Sequence, residues 1–447
     1  MSTSTDVSTA RPPVPLGVAA LMAVPGTYLG AAAYLGLPAP QIASPILVLV
    51  YGLAIVGAAF LLSWAAEAVQ VDINAGLALA LLALVAVLPE YAVDFVFTTQ
   101  CGGAYAGDGG TPDVCGLALA NMTGANRVLV GVGWPLVVLV ATLALWRGRK
   151  DGGRSDSGRE DGRGHRPAEV RLAPAMSVEV VFLGLATLYS LTLPLRGSLT
   201  LVDSAVFLAI FAGYAWRLSR MEASEPDLLG TSAWMGGLDT RPRRAWVIGT
   251  FVVAGLVILA CAEHFAESLT STGEELGVSQ FLLVQWIAPL ASESPELIVA
   301  CLYAWRMKAD ESLGALLSSK VNQWTLLVGG LPIVFGLTAG TTAGLPMDTD
   351  QRFELLITAA QSLFAVALLL DLRLTARDAG ILVALFSTQF LVSVLGTDAA
   401  NRYVIVALSV VYLGWAAVRI ARRLGVTAQL VRDATVTPMS ELPTEVA

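Results

Sequence analysis

Long apolar runs recur along the whole chain and are separated by short polar segments. Most are about 17 to 25 residues long, the length at which an α-helix crosses the hydrocarbon core of a bilayer. The pattern predicts an all-α membrane protein with about twelve transmembrane helices. The runs are 14–36, 45–69, 74–100, 115–146, 177–194, 198–217, 245–266, 277–305, 312–337, 354–371, 378–396 and 402–421.

Two of these runs carry polar residues where a membrane span is driest. The segment 291–296 (ASESPE) places Glu293 and Glu296 beside Pro295, and the segment 317–323 (LSSKVNQ) carries Lys320. An ionisable side chain at bilayer depth costs at least ~2.5 kcal/mol on insertion scales. We therefore interpret these positions as a functional site.

A weaker copy of the same pattern occurs earlier in the chain. The segment 85–90 (VAVLPE) ends in Pro89 and Glu90, and the segment 120–126 (ANMTGAN) follows in the next run. Membrane transporters build substrate sites near the bilayer midplane from such internal repeats.

The basic residues give the orientation of the spans. With the N-terminus in the cytoplasm, 22 of the 27 Lys and Arg residues fall in cytoplasmic segments, as the positive-inside rule requires. Glu90 then lies in an outward run and Glu296 in an inward run, so the two repeats are inverted. Asp203 and Asp378, near the starts of the fifth spans, indicate the same correspondence.

These observations predict the following organisation. The segments are a disordered tail (1–13), an extra span (14–44), a first five-span repeat (45–217) with a flexible basic loop (147–173), a cytoplasmic linker (218–244), a second five-span repeat (245–396), and an extra span with a cytoplasmic tail (397–447).

The two Pro-Glu pairs suit a hard cation. A proline inside a helix frees the carbonyl four residues earlier, which belongs to Val85 for Pro89 and to Ala291 for Pro295. Calcium takes six to eight oxygen ligands, including carboxylates, carbonyls and amides. We expect Glu90 and Glu296 to be the central ligands.

Other polar residues are available around these carboxylates, although hydroxyl and amide groups also join helices to one another in membranes. Candidate cation ligands are Asn121, Thr123, Asn126, Ser292, Glu293, Ser318, Asn322 and Gln323. Asp94 lies one turn after Glu90 and is either a pathway residue or a group near the outer surface. Glu67 and Glu263 are candidate pathway residues or interfacial groups, and His264 is interfacial.

The four cysteines do not form a zinc-binding pattern. Cys101 and Cys115 bracket a loop predicted to face outside, where a disulfide is plausible. Cys261 and Cys301 lie within spans and are interpreted as small apolar fillers.

The repeated motifs resemble the sodium/calcium exchanger family of the cation/calcium antiporter superfamily. That family's repeats typically read G-T-S-x-P-E in one helix and G-N-x-x-G-S-N in the next, and segments 85–90, 120–126 and 291–296 match them in part. The resemblance covers both five-span halves. It implies a ten-helix exchanger core, a central cation site, alternating access, and Glu90 and Glu296 as main ligands.

The departures from that pattern concern the counter-ion. Ala86 and Val87 replace the Thr-Ser of the first repeat, so hydroxyl oxygens suited to sodium are missing. Lys320 and Arg127 add positive charge near the site. We hypothesise that the Lys320 ammonium pairs with Glu293 or Glu296, reduces the number of bound cations and shifts coupling towards protons. The alternative is a structural role for Lys320.

The sequence therefore predicts a secondary antiporter, not an enzyme, in the plasma membrane, exchanging Ca²⁺ for Na⁺ or H⁺. Its ligands are the transported cations, with no resident cofactor and no nucleic-acid partner. No P-loop pattern occurs in the chain, so no nucleotide is expected. A monovalent-cation antiporter on the same scaffold remains open. An intramembrane enzyme or a sensor is a third reading, but the chain has no H-E-x-x-H motif.

Overall fold

The computed structural model describes residues 12–38, 40–72, 88–108, 113–151, 169–220, 228 and 230–444. The helices are α1 (Val14–Tyr34), α2 (Ser44–Val69), α3 (Leu88–Asp108), α4 (Ala120–Val128), α5 (Trp134–Asp151), α6 (Ser177–Ser190), α7 (Leu201–Leu218), α8 (Thr231–Gly236), α9 (Thr240–Leu276), α10 (Gln280–Trp305), α11 (Ala309–Asn322), α12 (Val328–Ala339), α13 (Thr349–Leu368), α14 (Ala376–Leu395), α15 (Asp398–Arg422) and α16 (Leu424–Thr435). The strands are β1 (Glu169–Arg171), β2 (Ser198–Leu199), β3 (Leu345–Pro346) and β4 (Arg373–Thr375).

Ten helical segments in the described part of the chain are long and apolar enough to cross a membrane. The helices α3 and α10 coincide with two further predicted runs and carry the two Pro-Glu pairs. The protein is thus helical and multi-pass, and a total of twelve spans stays a prediction.

Two predicted spans contain a change of helix type that the apolar pattern does not reveal. Between α4 and α5 the chain forms a π-helical turn at Leu129–Gly133, and between α11 and α12 it forms another at Gln323–Leu327. Both turns follow the polar motif of their repeat. A π-helical turn inside an α-helix often marks a functional position.

Some predicted segments lie partly outside the described residues. These are most of the tail 1–13, residues 73–87 with Val85, Ala86 and Val87, and residues 152–168 of the basic loop. Within the described part of that loop, α5 continues to Asp151 and β1 begins at Glu169.

Two short helices were missed because the prediction relied on long apolar runs. Helix α8 lies in the predicted linker, and α16 lies in the predicted C-terminal tail. In α16 the buried residues are Leu430 and Ala434, four positions apart, and the helix packs against α6. Arg423 forms an ion pair with Asp371 at its start.

The chain divides into two compact units, and each takes segments from both predicted repeats. The first unit comprises 1–125, 198–295 and 326–347, and the second comprises 126–197, 296–325 and 348–447. Two of the boundaries, at 125/126 and 295/296, fall inside α4 and α10, next to the polar motifs. The repeats are therefore visible in the sequence. Each compact unit of the structure, by contrast, is built from segments of both repeats.

The same local sequence of elements occurs at both positions where Asp203 and Asp378 indicate a correspondence. A 3₁₀ turn (Leu193–Leu195 or Leu369–Asp371) leads into a short strand, β2 or β4. Thr200 with Asp203 and Thr375 with Asp378 then form capping boxes at the starts of α7 and α14. Each box satisfies backbone N–H groups that a helix start leaves unpaired. The strands pair antiparallel, β2 with β3 and β1 with β4.

The two extra spans pack within different units. In the first unit, α1 lies against α2 and α9. Its glycines allow this close approach, because a Cβ atom at Gly30 would lie 1.9 Å from the main-chain oxygen of Ala260. In the second unit, α15 lies against α13, and the Phe364 ring contacts Tyr412 and Trp415.

We expect Gly30→Ala to destabilise the protein, because the added methyl group forces α1 away from a backbone atom of α9. Overpacking of this kind costs about 1–3 kcal/mol, so the unfolding temperature of the detergent-purified protein should fall. Gly17→Ala is the matched control on the same helix, since nothing lies within 4 Å of its Cβ position. Equal unfolding temperatures for the two variants would contradict the role of this contact.

Candidate cation site

The first Pro-Glu pair lies at the start of α3, in the first unit. Glu90 falls in the first turn of that helix and is 2% exposed. Asp94 follows one turn later and is fully buried. The structure thus places two carboxylates on one helix face inside the protein, as the spacing predicts.

The amide-rich motif of the first repeat begins α4 in the same unit. Asn121 is fully buried, and its side chain lies beside the Asp94 carboxylate without a hydrogen bond of good geometry. The Thr123 hydroxyl donates to the main-chain oxygens of Leu119 and Ala120, each at 3.0 Å. Thr123 therefore uses its donor within its own helix.

Helix α10 carries the second Pro-Glu pair and continues through both of its prolines, Pro289 and Pro295. Ser292 and Glu293, in the first unit, are each 2% exposed. The Ser292 hydroxyl makes only long contacts, 3.4 and 3.5 Å, to the main-chain oxygens of Ala288 and Pro289. Glu296, in the second unit, is half-buried.

Lys320 has a partner that the sequence analysis did not foresee. Its Nζ donates to the main-chain oxygen and to the Oδ1 of Asn126, both at 2.9 Å, within the second unit. Both side chains are fully buried. The ammonium group is therefore held against two oxygen atoms of a residue that the sequence predicted to bind a cation.

The remaining predicted ligands of the second unit lie on and just after α11. Asn322 and Gln323 are buried, and Ser318 is half-buried. Gln323 opens the π-helical turn Gln323–Leu327. The local change of helix type follows directly on the polar motif, as it does in the first repeat.

Arg127 forms a buried ion pair with Glu354. Its Nη1 lies 2.7 Å from the Oε2 of Glu354, and the two side chains are 1% and 4% exposed. The sequence analysis counted Arg127 as positive charge near the site and overlooked Glu354. A buried guanidinium requires a nearby carboxylate, and Glu354 at the start of a predicted span was the available signal.

The candidate pathway residues Glu67 and Glu263 each accept a hydrogen bond within the first unit. Ser232 of α8 donates to Glu67 at 2.5 Å, and Tyr34 of α1 donates to Glu263 at 2.5 Å. Beyond the end of α2, hydrogen bonds from Arg243 lower the pKa of the Asp72 carboxyl.

His264 lies between the rings of Tyr34 and Tyr51, with its Nδ1 3.3 Å from Glu267. Cys101 and Cys115 form a disulfide in the first unit, with their Cα atoms 4.7 Å apart. Among the described residues no three His, Cys, Asp or Glu side chains come together as a metal site.

Comparison with known proteins identifies the family. A family model described as "Sodium/calcium exchanger protein" matches residues 43–219 and 246–421, which is most of the chain. The chain belongs to the sodium/calcium exchanger family. The first matched segment covers the predicted first repeat (45–217), and the second covers nearly all of the predicted second repeat (245–396) together with part of the predicted extra span. The exchanger is a transporter of inorganic cations, not an enzyme.

Among solved structures, the exchanger is similar to one described as the H⁺/Ca²⁺ exchanger CAX. The identity is 38%, the match covers 94% of this chain and 96% of that chain, and the TM-score is 0.81. The structure of native YfkE, at 15% identity and a TM-score of 0.54, covers 89% of this chain and 99% of its own and shows the shared fold alone. A curated relative, the putative antiporter CaxA of Alkalimonas amylolytica, is 27% identical over 108 residues, 24% of this chain and 32% of its own length.

We expect Glu354→Gln to destabilise the exchanger strongly, because it leaves the Arg127 guanidinium buried without its carboxylate. Breaking a buried pair in this way costs about 3–5 kcal/mol. The measurement is the unfolding temperature in detergent.

The double variant Arg127→Met with Glu354→Met is the comparison for this prediction, because it removes both charges together. Replacing a whole buried pair with apolar residues is often neutral, so its unfolding temperature should lie near that of the unmodified protein. A double variant as unstable as Glu354→Gln would refute this account.

Proposed function

We propose that this exchanger moves Ca²⁺ across the plasma membrane in exchange for protons by alternating access. The observation that carries the proposal is the 38% identity, over 94% of the chain, to a structure described as an H⁺/Ca²⁺ exchanger. Sodium is the other candidate counter-ion, because the family description names a sodium/calcium exchanger.

The contacts of Lys320 support protons as the counter-ion. Its ammonium occupies the two oxygen atoms of Asn126, which a sodium ion would otherwise use. Ala86 and Val87 offer no hydroxyl oxygen before the first Pro-Glu pair. With fewer oxygens for sodium, the carboxylates themselves carry the exchange, releasing protons when calcium binds and taking them up when it leaves.

In this proposal Glu90 and Glu296 are the main calcium ligands, since they are the carboxylates that the inverted repeats place at equivalent positions. Further oxygens are assigned to buried and half-buried polar residues of each unit. Asn126 acts as the anchor of Lys320 instead of a direct ligand. The further ligands are Asn121, Ser292, Glu293, Ser318, Asn322 and Gln323.

The proposal also includes an orientation and a set of ligands. Both termini lie in the cytoplasm, because this places 22 of 27 basic residues there. The energy comes from the counter-ion gradient. The transported cations are the ligands, with no resident cofactor or nucleotide.

We expect Glu90→Gln and Glu296→Gln each to reduce calcium uptake into proteoliposomes at least about a hundredfold, because an amide lacks the charge that balances the ion. Uptake should be driven by an imposed pH gradient and not by an imposed sodium gradient. Glu311→Gln, on the exposed start of α11, is the control and should transport normally.

Three other outcomes of this experiment would each contradict a different part of the proposal. Uptake driven by sodium alone would overturn proton coupling and leave calcium antiport standing. Monovalent-cation flux without calcium flux would overturn the calcium assignment. Full calcium uptake by Glu90→Gln would overturn the ligand assignment.

We expect Lys320→Ala to admit sodium as a counter-ion, because it frees both oxygen atoms of Asn126. Sodium should then inhibit or drive calcium uptake, and the dependence of uptake on pH should weaken. Lys308→Ala removes a Lys side chain that lies 3.4 Å from Glu311 at the start of α11, and it should change neither property. Unchanged ion selectivity and pH dependence in Lys320→Ala would assign Lys320 a purely structural role.

A further inference from the structure

Three buried polar side chains in the first unit form a cluster beyond Glu90. Asp94 lies on α3, Asn121 on α4 and Gln285 on α10, and each is fully buried. The proposed calcium ligands do not include Asp94 or Gln285. We refer to Asp94, Asn121 and Gln285 as the amide cluster.

The Asp94 carboxyl group lies beside the Asn121 amide, but the amide cluster lacks well-formed hydrogen bonds within the described part of the chain. None of its six side-chain N and O atoms has a hydrogen-bond partner among the described residues. A buried polar atom left without a partner costs about 1–3 kcal/mol. If these six atoms serve packing alone, together they lower the stability of the folded protein considerably. A cation that binds oxygen atoms would remove much of this free-energy cost.

Contacts around Gly124 bring the cluster together. A Cβ atom at Gly124 would lie 1.7 Å from the main-chain oxygen of Gln285 and 3.2 Å from its Cγ, so α4 and α10 touch there. Asn121 lies three positions before Gly124, on the same face of α4. Since Asn121 also lies beside Asp94, the face of α4 that carries Asn121 and Gly124 borders both Asp94 and Gln285.

The presence of a carboxylate distinguishes this cluster from an ordinary buried amide. Gln389 on α14 is also buried with its side-chain N and O atoms unpartnered among the described residues. The amide cluster adds the carboxyl group of Asp94 to its amide oxygens, and these are the donor types of a hard cation.

We infer that Asp94, Asn121 and Gln285 form a relay site for a partly hydrated divalent cation, an inference that rests on the proposed calcium transport. Asp94 lies four residues beyond Glu90, about 6 Å further along α3 towards its C-terminal end. The positive-inside rule assigns that end to the outer side. The relay site therefore holds the ion between the outer solution and Glu90.

The number of ligands explains why this is a relay and not the final site. One carboxylate and two amide groups supply fewer oxygens than the six to eight that calcium takes, so water completes the shell. Transport also requires that an ion leave each site readily. A single carboxylate with neutral amides holds calcium more weakly than a site with several carboxylates.

The decisive experiment compares two substitutions of Gln285 that have opposite effects on cations. Gln285→Met keeps the chain length and the Cγ beside Gly124 but removes the oxygen. Gln285→Glu keeps the shape and adds a charge. We expect the KM for external calcium to rise about tenfold with Met and to fall with Glu, at a nearly unchanged maximal rate.

A binding measurement provides a second readout that does not depend on transport. Equilibrium binding of calcium-45 to the detergent-purified protein should weaken in Gln285→Met and in the isosteric variant Asp94→Asn. Gln389→Met is the control for replacing a buried glutamine and should bind and transport normally. Asp94→Asn also keeps the test decisive if a Gln285 variant does not fold.

A packing role for Gln285 predicts the reverse pattern. Met would then be tolerated, and Glu would lower the unfolding temperature without tightening calcium binding. That pattern, or unchanged calcium affinity in both Gln285→Met and Asp94→Asn, would overturn the relay site. If Glu90→Gln still abolishes uptake in that case, the proposed function stands and only the relay fails.

Discussion

The cost of holding polar and charged groups away from water governs how this protein is built. A membrane interior offers no solvent to these groups, so each must find a partner within the protein or serve a ligand. Arg127 meets this demand with Glu354, and Lys320 meets it with Asn126. Asp94 and Gln285 are buried without a well-formed hydrogen bond among the described residues.

The same demand explains where the regular helices change. The π-helical turns at Leu129–Gly133 and Gln323–Leu327 follow the polar motif of each repeat. Prolines occur at Pro89 and inside α10, where the Pro-Glu pairs are. Away from these motifs the helices are held by small residues, as at Gly30, where α1 lies directly against the backbone of α9. Irregular backbone and polar side chains are thus concentrated in the same parts of the chain.

The two asparagines of the first polar motif have different neighbours. The Lys320 Nζ donates to two oxygen atoms of Asn126. Asn121, in the same motif of the first repeat, lies beside the Asp94 carboxyl group. One motif thus supplies two amides with different polar contacts, which the sequence pattern does not distinguish.

Much of the fold could be predicted from the sequence because bilayer thickness fixes the length of an apolar run. The predicted runs correspond to helices throughout the described residues, and the family assignment of the motifs is confirmed. Short helices such as α8 and α16 were missed, since they are not long apolar runs. The partners of Arg127 and Lys320 were also missed, because they lie far away in sequence.

The sequence by itself determined the membrane class, the inverted repeats and the two Pro-Glu pairs, since periodicity, length and motif are local properties. Only the tertiary structure decided which polar groups pair with each other. The chain separates Lys320 from its partner Asn126 by 194 positions. Such contacts depend on the packing of helices that are distant in the sequence, so no local sequence pattern predicts them.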